Sequence, residues 1–325
     1  ALTPVKFGIS FTATQFNQAG AVVAVYTDGS VRVNHGGTEM GQGLHTKVCG
    51  LVARVLGLPA AQVMASASDT DQVANASATA ASSGTDLNGR AAENAALQVR
   101  QNIAECIAKA DDCSAETVRF EGGQVISPAR QRSFTEAVQY AYGQRVQLWS
   151  DGFYATPKIH YDRTTLTGRP FYYFAYGAAC SEVAIDTLTG EYRVLRTDIL
   201  HDVGHSLHPA IDIGQIEGGF CQGLGWLTTE ELVWNVKGEL LTKGASTYKI
   251  PTAADMPAQL NIGLWHEANR EDNVGGSKAV GEPPFMLGVS VFEALRDAVA
   301  SATGGKAVAM NAPATAETVL GALKA

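Results

Sequence analysis

The stretch "AVVAVYTDGSVRVNH", residues 21–35, alternates apolar and polar side chains on either side of Asp28-Gly29. Period-two alternation marks a strand with one buried face, and Asp-Gly is the pair that a tight type I′ turn prefers, because both central residues need positive φ. The reading is a β-hairpin. A second stretch, "CSEVAIDTLTGEYRVLRTDIL" (180–200), repeats the pattern around Thr189-Gly190. Each hairpin runs on into a glycine-rich, glutamine-bearing segment and then a helical pattern, so one order of elements recurs about 160 residues apart. That order predicts an internal duplication, with lobes of about 1–150 and 151–325.

Helices are written between and after the hairpins. Val48, Leu51, Val52, Val55 and Leu56 fall at i, i+3, i+4, i+7 and i+8, a core-facing stripe. Residues 86–110 are alanine-rich with polar residues interleaved, which predicts a long helix, and Ser133 with Glu136 has capping-box spacing. A last helix is expected from about Pro284 to Ala300, followed by a loosely packed tail over 301–325. Strands and helices mix without the regular alternation of a doubly wound sheet, so the expected class is α+β.

With 325 residues, 46% hydrophobic and 17% charged, the chain can bury a sizeable core. The net charge of −8 is scattered, and nothing basic invites nucleic acid or an anionic membrane. No apolar run reaches membrane-spanning length and the first twenty residues lack a signal-peptide layout, which makes the cytoplasm the expected compartment. Cys49, Cys106, Cys113, Cys180 and Cys221 are odd in number and widely spaced, which predicts buried, reduced thiols rather than disulfides or metal ligands. The opening "ALTPVKFGISF" has no methionine and is already strand-like, so the chain is expected to be part of a larger polypeptide.

Four stretches carry candidate chemistry. "HGGTEMGQGLHTK" (35–47) places Gln42 between Gly41 and Gly43 just before a helix; glycines and free helix-start N–H groups there suit an anionic or acceptor-rich ligand. It is not a phosphate-cradling Walker loop, because Lys47 does not directly follow a glycine. "NASATAASSGTDLNG" (75–89) offers the hydroxyls of Thr79, Ser82 and Ser83, with Ala80 and Ala81 leaving backbone open to a flat ligand; its plainer reading is a serine-rich surface loop. "PAIDIGQIEGGFCQGLGW" (209–226) carries glycines at 214, 218, 219, 223 and 225, which in a helix forgo roughly 4–5 kcal/mol relative to alanine. They must admit another backbone or a ligand, with Gln215 and Gln222 as the polar groups beside them. "HDVGHSLH" (201–208) spaces His201, His205 and His208 by four and three, but in a segment where imidazoles diverge as easily as they converge.

In "SKAVGEPPF" (277–285), Glu282 stands between Gly281 and two prolines at the start of the last helix. Pro283 pushes it toward extended backbone, and Pro284 suits a first helical turn. The helix dipole favours the ionised carboxylate and burial opposes it, so a base and a structural helix-start residue both fit.

Together and in this order, "GTEMGQGLHTKV", "SATAAS", "DLNG", "GFYATP", "CSEVAIDTLTG", "RTDILHDVGHSLHPAIDIGQIEGGFCQGLG", "STYKIP", "SKAVGEPPF" and "NAPATAETVL" closely resemble the molybdenum-cofactor subunits of the xanthine dehydrogenase and aldehyde oxidase family. The resemblance covers nearly the whole chain and implies the C-terminal half of a two-lobed molybdenum-cofactor-binding domain. It implies molybdopterin held by Gly41, Gln42, Gly43, Thr79, Ala80, Ala81, Ser82, Gly84, Gln215 and Gly281, with no protein ligand to the metal. Gly84 departs from some relatives that carry serine there, so that a hydroxyl contact is either lost or supplied by Ser83. The three histidines sit where relatives carry other residues.

By the same resemblance Glu282 is the base. It takes the proton of a molybdenum-bound hydroxyl, whose oxygen attacks an electron-poor carbon while hydride passes to a sulfido ligand. Hypoxanthine and xanthine, oxidised to urate, are the implied substrates, with an aldehyde-oxidising enzyme or a non-catalytic scaffold as alternatives. The family's purine-gripping arginine and glutamate lie in a preceding segment. So do the implied partners: the N-terminal half of the subunit, and modules carrying 2Fe–2S clusters and FAD that deliver electrons to NAD, within a dimer of heterodimers.

Overall fold

A computed structural model describes residues 1–73, 75–305 and 308–325. In chain order its strands and helices begin with β1 (Leu2–Ile9), β2 (Gln18–Val25), β3 (Val31–His35), α1 (Leu44–Leu56), β4 (Val63–Ala65) and α2 (Gly84–Ala110). Next come β5 (Arg119–Glu121), β6 (Gln124–Ile126), β7 (Gln131–Ser133), α3 (Phe134–Gly143), β8 (Trp149–Ala155), β9 (His160–Asp162) and β10 (Thr167–Arg169). The rest are β11 (Tyr173–Ile185), β12 (Tyr192–His201), α4 (Pro209–Thr228), β13 (Gln259–Leu264), α5 (Val289–Ala302) and α6 (Ala316–Lys324). Two compact units result. The first is Gly8–Tyr173 with Asn269–Ser277; the second is Ala1–Phe7, Phe174–Ala268 and Lys278–Ala325.

In the first unit the sheet order is β4-β3-β2-β8, with β2 antiparallel to β3 and β8, and β4 parallel to β3. Ala19, Ala21, Val23 and Val25 point inward from β2 by simple alternation. The helical stripe of α1 is buried as its spacing predicts. The alanines of α2 serve closeness: Ala91, Ala92, Ala95 and Ala96 are fully buried, and a methyl on Gly152 of β8 would meet the Ala91 carbonyl oxygen at 2.1 Å. Ser133 and Glu136 form the expected capping box, with Ser133 Oγ accepting from the Glu136 N–H at 3.2 Å.

In the second unit the sheet order is β1-β11-β12-β13, again a hairpin (β11, β12) whose second strand pairs in parallel with a later one, β13. Each unit therefore runs hairpin, helix, parallel strand: β2-β3-α1-β4 and β11-β12-α4-β13. Helices and mixed sheets of this kind are the expected α+β class.

Several local expectations need correction. The Asp28-Gly29 connection is not a type I′ turn: Tyr26 and Ser30 pair (Tyr26 N–H to Ser30 O, 2.9 Å) around a three-residue loop. Only Gly29 has positive φ, because Asp28 spends its carboxylate on the Ser30 N–H. The cysteines are free, but Cys180 is exposed and the others half-buried; Cys180 alternates onto the outer face of β11. The tail is not loose throughout. Ala314 and Val319 are fully buried, and α6 is capped by Thr315. The expected last helix opens as a 3-10 turn over Pro283–Gly288 before α5.

Candidate functional site

In the first unit β3 runs out at its carboxyl end into the glycine loop, which leads into α1. Among open sheets, the carboxyl ends of parallel strands are where ligand-binding loops gather. Six backbone N–H groups between Gly37 and His45 are capped by side chains. Gly37 donates to His35 Nδ1 (3.1 Å), Thr38 to Thr79 Oγ1 (2.9 Å) and Met40 to Gln42 Oε1 (2.6 Å). Gly41 and Gly43 both donate to Glu39 Oε1 (2.9 and 3.0 Å), and His45 donates to Glu39 Oε2 (3.0 Å). Glu39 thus occupies the N–H groups of Gly41 and Gly43 in the loop and of His45 in the first turn of α1. Burial pushes the Glu39 carboxyl up, but these three N–H groups outweigh it and hold it below its ordinary value. Gln42 Nε2 donates to Thr38 O (2.8 Å), so the amide keeps one N–H and one lone pair for anything outside the loop.

The second loop lies against the first through that Thr38–Thr79 bond, and a methyl on Gly36 would meet Ala76 Cβ at 2.2 Å. Ala81 and Ser82 both have φ of +54°, a left-handed conformation costing about 1–2 kcal/mol per non-glycine residue. Such positions persist only where the surroundings impose them. Ser83 Oγ donates back to Ala80 O (3.1 Å), so that buried hydroxyl is committed to the loop rather than offered in place of one at Gly84. A cavity of about 10 Å³ lined by Gly20, Ser77, Thr79, Gly84 and Asn88 has room for one water at most. One turn into α2, buried Asp86 accepts from Tyr173 Oη (2.7 Å) and Asn273 Nδ2 (2.9 Å), and burial pushes its carboxyl up to about 6.

In the second unit the glycine-rich stretch is helix α4, and the helix has two glycine faces. A methyl on Gly219 would meet Pro284 Cβ at 2.8 Å, and one on Gly223 would meet the Phe285 carbonyl oxygen at 2.0 Å. One on Gly288 would in turn meet Gly223 C at 2.5 Å. These glycines admit a backbone: they seat the Pro283–Gly288 turn, and Trp226 stacks edge-on against Phe285 (5.1 Å). At Gly214 and Gly218 an added methyl meets nothing within 4 Å. Gln215, Gly219 and Gly223 are spaced by four and share one face. Glu282, half-buried, caps the seated turn by accepting the Phe285 N–H at its carbonyl (3.0 Å). Its backbone is helical (φ −94°, ψ −33°), not extended as the following proline predicts, because the turn packed on α4 needs that carbonyl.

The three histidines go to three places. His201 is fully buried on β12 with neither ring nitrogen bonded, His205 is exposed, and His208 caps α4 by accepting from the Ile211 N–H at Nδ1 (3.4 Å). Among the described residues no group of three or more His, Cys, Asp or Glu could hold a metal ion. Sequence reasoning missed Glu39 and Asp86; Asp86 lies in the first turn of α2, where acids are favoured, whereas Glu39 reaches the start of α1 from four residues before its cap, with no local sequence signal.

A model of the molybdopterin cofactor-binding domain matches residues 1–257. The chain belongs to that family. As a molybdopterin cofactor-binding domain it is 46% identical over 326 residues to xanthine dehydrogenase/oxidase of Felis catus, covering 98% of this chain and 23% of that one. It is 45% identical over 305 residues to xanthine dehydrogenase of Dictyostelium discoideum, covering 93% and 21%. The chain spans about a fifth of the length of these curated relatives. Quinoline 2-oxidoreductase from Pseudomonas putida 86 matches the structure with a TM-score of 0.85 over 99% of this chain and 42% of that one; at 24% identity that likeness establishes the fold. The first unit's loop fits such a cofactor: the Gly41 edge lies open and half of the Gln42 amide remains uncommitted.

Proposed function

We propose that this chain is the C-terminal half of the molybdopterin-binding part of a molybdenum hydroxylase that oxidises hypoxanthine and xanthine to urate. Support comes from the xanthine dehydrogenase names of relatives at 44–46% identity. In this reading Gly41, Gln42, Gly43, Thr79, Ala80, Ala81, Ser82, Gly84, Gln215 and Gly281 are the residues that hold the cofactor. When bound, molybdopterin supplies Lewis acidity and a two-electron acceptor. Glu282 accepts, on its carboxylate, the proton of the water-derived oxygen that bonds to the substrate carbon. As the substrate C–H bond breaks and the new C–O bond forms, the hydrogen would be released as a proton to solvent and the two electrons would pass through 2Fe–2S and FAD modules on other segments to NAD in the cytoplasm. The same reading takes the two units as copies of one motif.

The observation that carries it is the seat of Glu282. Two glycines of α4 and two consecutive prolines mount the acid rigidly, on the helix face that continues to Gln215. A general base contributes roughly 10²–10⁴-fold. In the assembled protein Glu282→Gln should cut xanthine-dependent urate formation by about that factor with molybdopterin content unchanged. A near-full rate would sink the base and favour a scaffold; turnover of benzaldehyde but not xanthine would favour the aldehyde-oxidising alternative.

A further inference from the structure

We propose that Glu39 is a positioning residue, an internal anion that sets the shape of the glycine loop and so the orientation of the Gln42 amide before any cofactor arrives. The inference rests on the reading of Gln42 as a cofactor contact. Two side chains interlock here. Glu39 takes the N–H groups of Gly41, Gly43 and His45, the residues around Gln42. Gln42 takes the Met40 N–H and gives to the Thr38 carbonyl, the residues around Glu39. Each side chain therefore closes the backbone that carries the other. Gly43, the residue before α1, is left-handed (φ +75°) and has no side chain to cap the helix, so Glu39 does this from four residues upstream.

The arrangement has a chemical consequence. A carboxylate bonded to backbone N–H groups at a helix start is stabilised both by charge-assisted hydrogen bonds and by the helix dipole. The N–H groups of Gly41, Gly43 and His45 are therefore committed to Glu39 rather than to a phosphate of the cofactor, while the uncommitted half of the Gln42 amide stays available to a ligand. Behind it, His35 takes the Gly37 N–H and packs edge-on against His45 at 5.0 Å, bracing both ends of the loop.

The test is made on the assembled protein with three variants. Glu39→Ala removes all three acceptors, Glu39→Gln keeps one oxygen, and Ser133→Ala removes a cap in the same unit far along the chain. Expected are molybdopterin release at least about tenfold faster in Glu39→Ala than in wild type, and an intermediate rate in Glu39→Gln. Amide exchange at Gly41, Gly43 and His45 of cofactor-free protein should be faster in both. Formate, a small carboxylate, should slow release from Glu39→Ala. Wild-type release from both Glu39 variants would overturn the proposal, as would release that merely follows melting temperature, with Ser133→Ala on the same line. If Glu39→Ala does not fold, Glu39→Gln decides alone. Wild-type protein without molybdopterin would defeat the functional reading itself, whereas loaded wild type with unaffected Glu39 variants would defeat only this inference.

Discussion

Replacing Gly223 by alanine tests whether α4 is glycine-rich in order to seat the turn that bears Glu282. The new Cβ would stand 2.0 Å from the carbonyl oxygen of Phe285 and 2.9 Å from its carbon, where ordinary contact begins near 3.4 Å. The obstruction is backbone on both sides, so no side-chain rotation relieves it; about 1.4 Å must be found by moving the Pro283–Gly288 turn off the helix. Overpacking of this kind costs roughly 1–3 kcal/mol, against which alanine gains about 1 kcal/mol in helix propensity. The net expectation is a loss of up to about 2 kcal/mol. At roughly 2–4 °C for each kcal/mol, thermal unfolding should resolve it. Since displacing a reacting group by about 1 Å can cost 10²-fold in rate, urate formation should fall further than stability does. Gly218→Ala is the matched control. Its methyl meets nothing within 4 Å, so the same change five residues away should stabilise by up to about 1 kcal/mol. A Gly223→Ala protein that melts at or above wild type, or a Gly218→Ala protein that loses as much, would refute the reasoning.

His201→Met should stabilise the second unit. Both imidazole nitrogens are buried without a partner, and relieving that is worth roughly 1–3 kcal/mol. The gain should grow as pH falls. Burial, reinforced by Lys278 and opposed by Asp202 and Asp212, pulls the imidazole from 6.5 down to about 4. The unfolded chain therefore binds a proton below 6.5 that the folded unit refuses until about 4, and about 3 kcal/mol of stability is lost across that window. Denaturant unfolding of both proteins at pH 7 and pH 4.5 checks it; equal slopes with pH would be evidence against it. Ser133→Ala should cost about 1 kcal/mol through loss of the capping box, read as a lower denaturation midpoint with unchanged denaturant slope.

What was legible in the sequence is what repeats with a period. The alternation in 21–35 and 180–200 gave two hairpins, and the stripe from Val48 to Leu56 gave a buried helix face, because burial on one side imposes those periods. The long α2 was visible from its alanines, but not the reason for them, which is the close approach of Gly152. Turn type was not legible, since Asp28 chose a side-chain bond to Ser30 over positive φ. Nor was the backbone of Glu282: a pre-proline preference is local, and packing on α4 overrode it. In the candidate site the residue types in the loops could be read directly. Their pairings could not, because Glu39 and Gln42 are alike in offering oxygen, and only the folded loop decides which donor each takes.

The shared order of hairpin, helix and parallel strand has a consequence for how the chain tolerates change. In both units the hairpin's second strand, β3 or β12, hands the chain to a glycine-bearing segment at a helix. Each unit closes its own sheet and buries its own core, so a substitution in one sheet is free to change the strand that feeds its loop without repacking the core of the other.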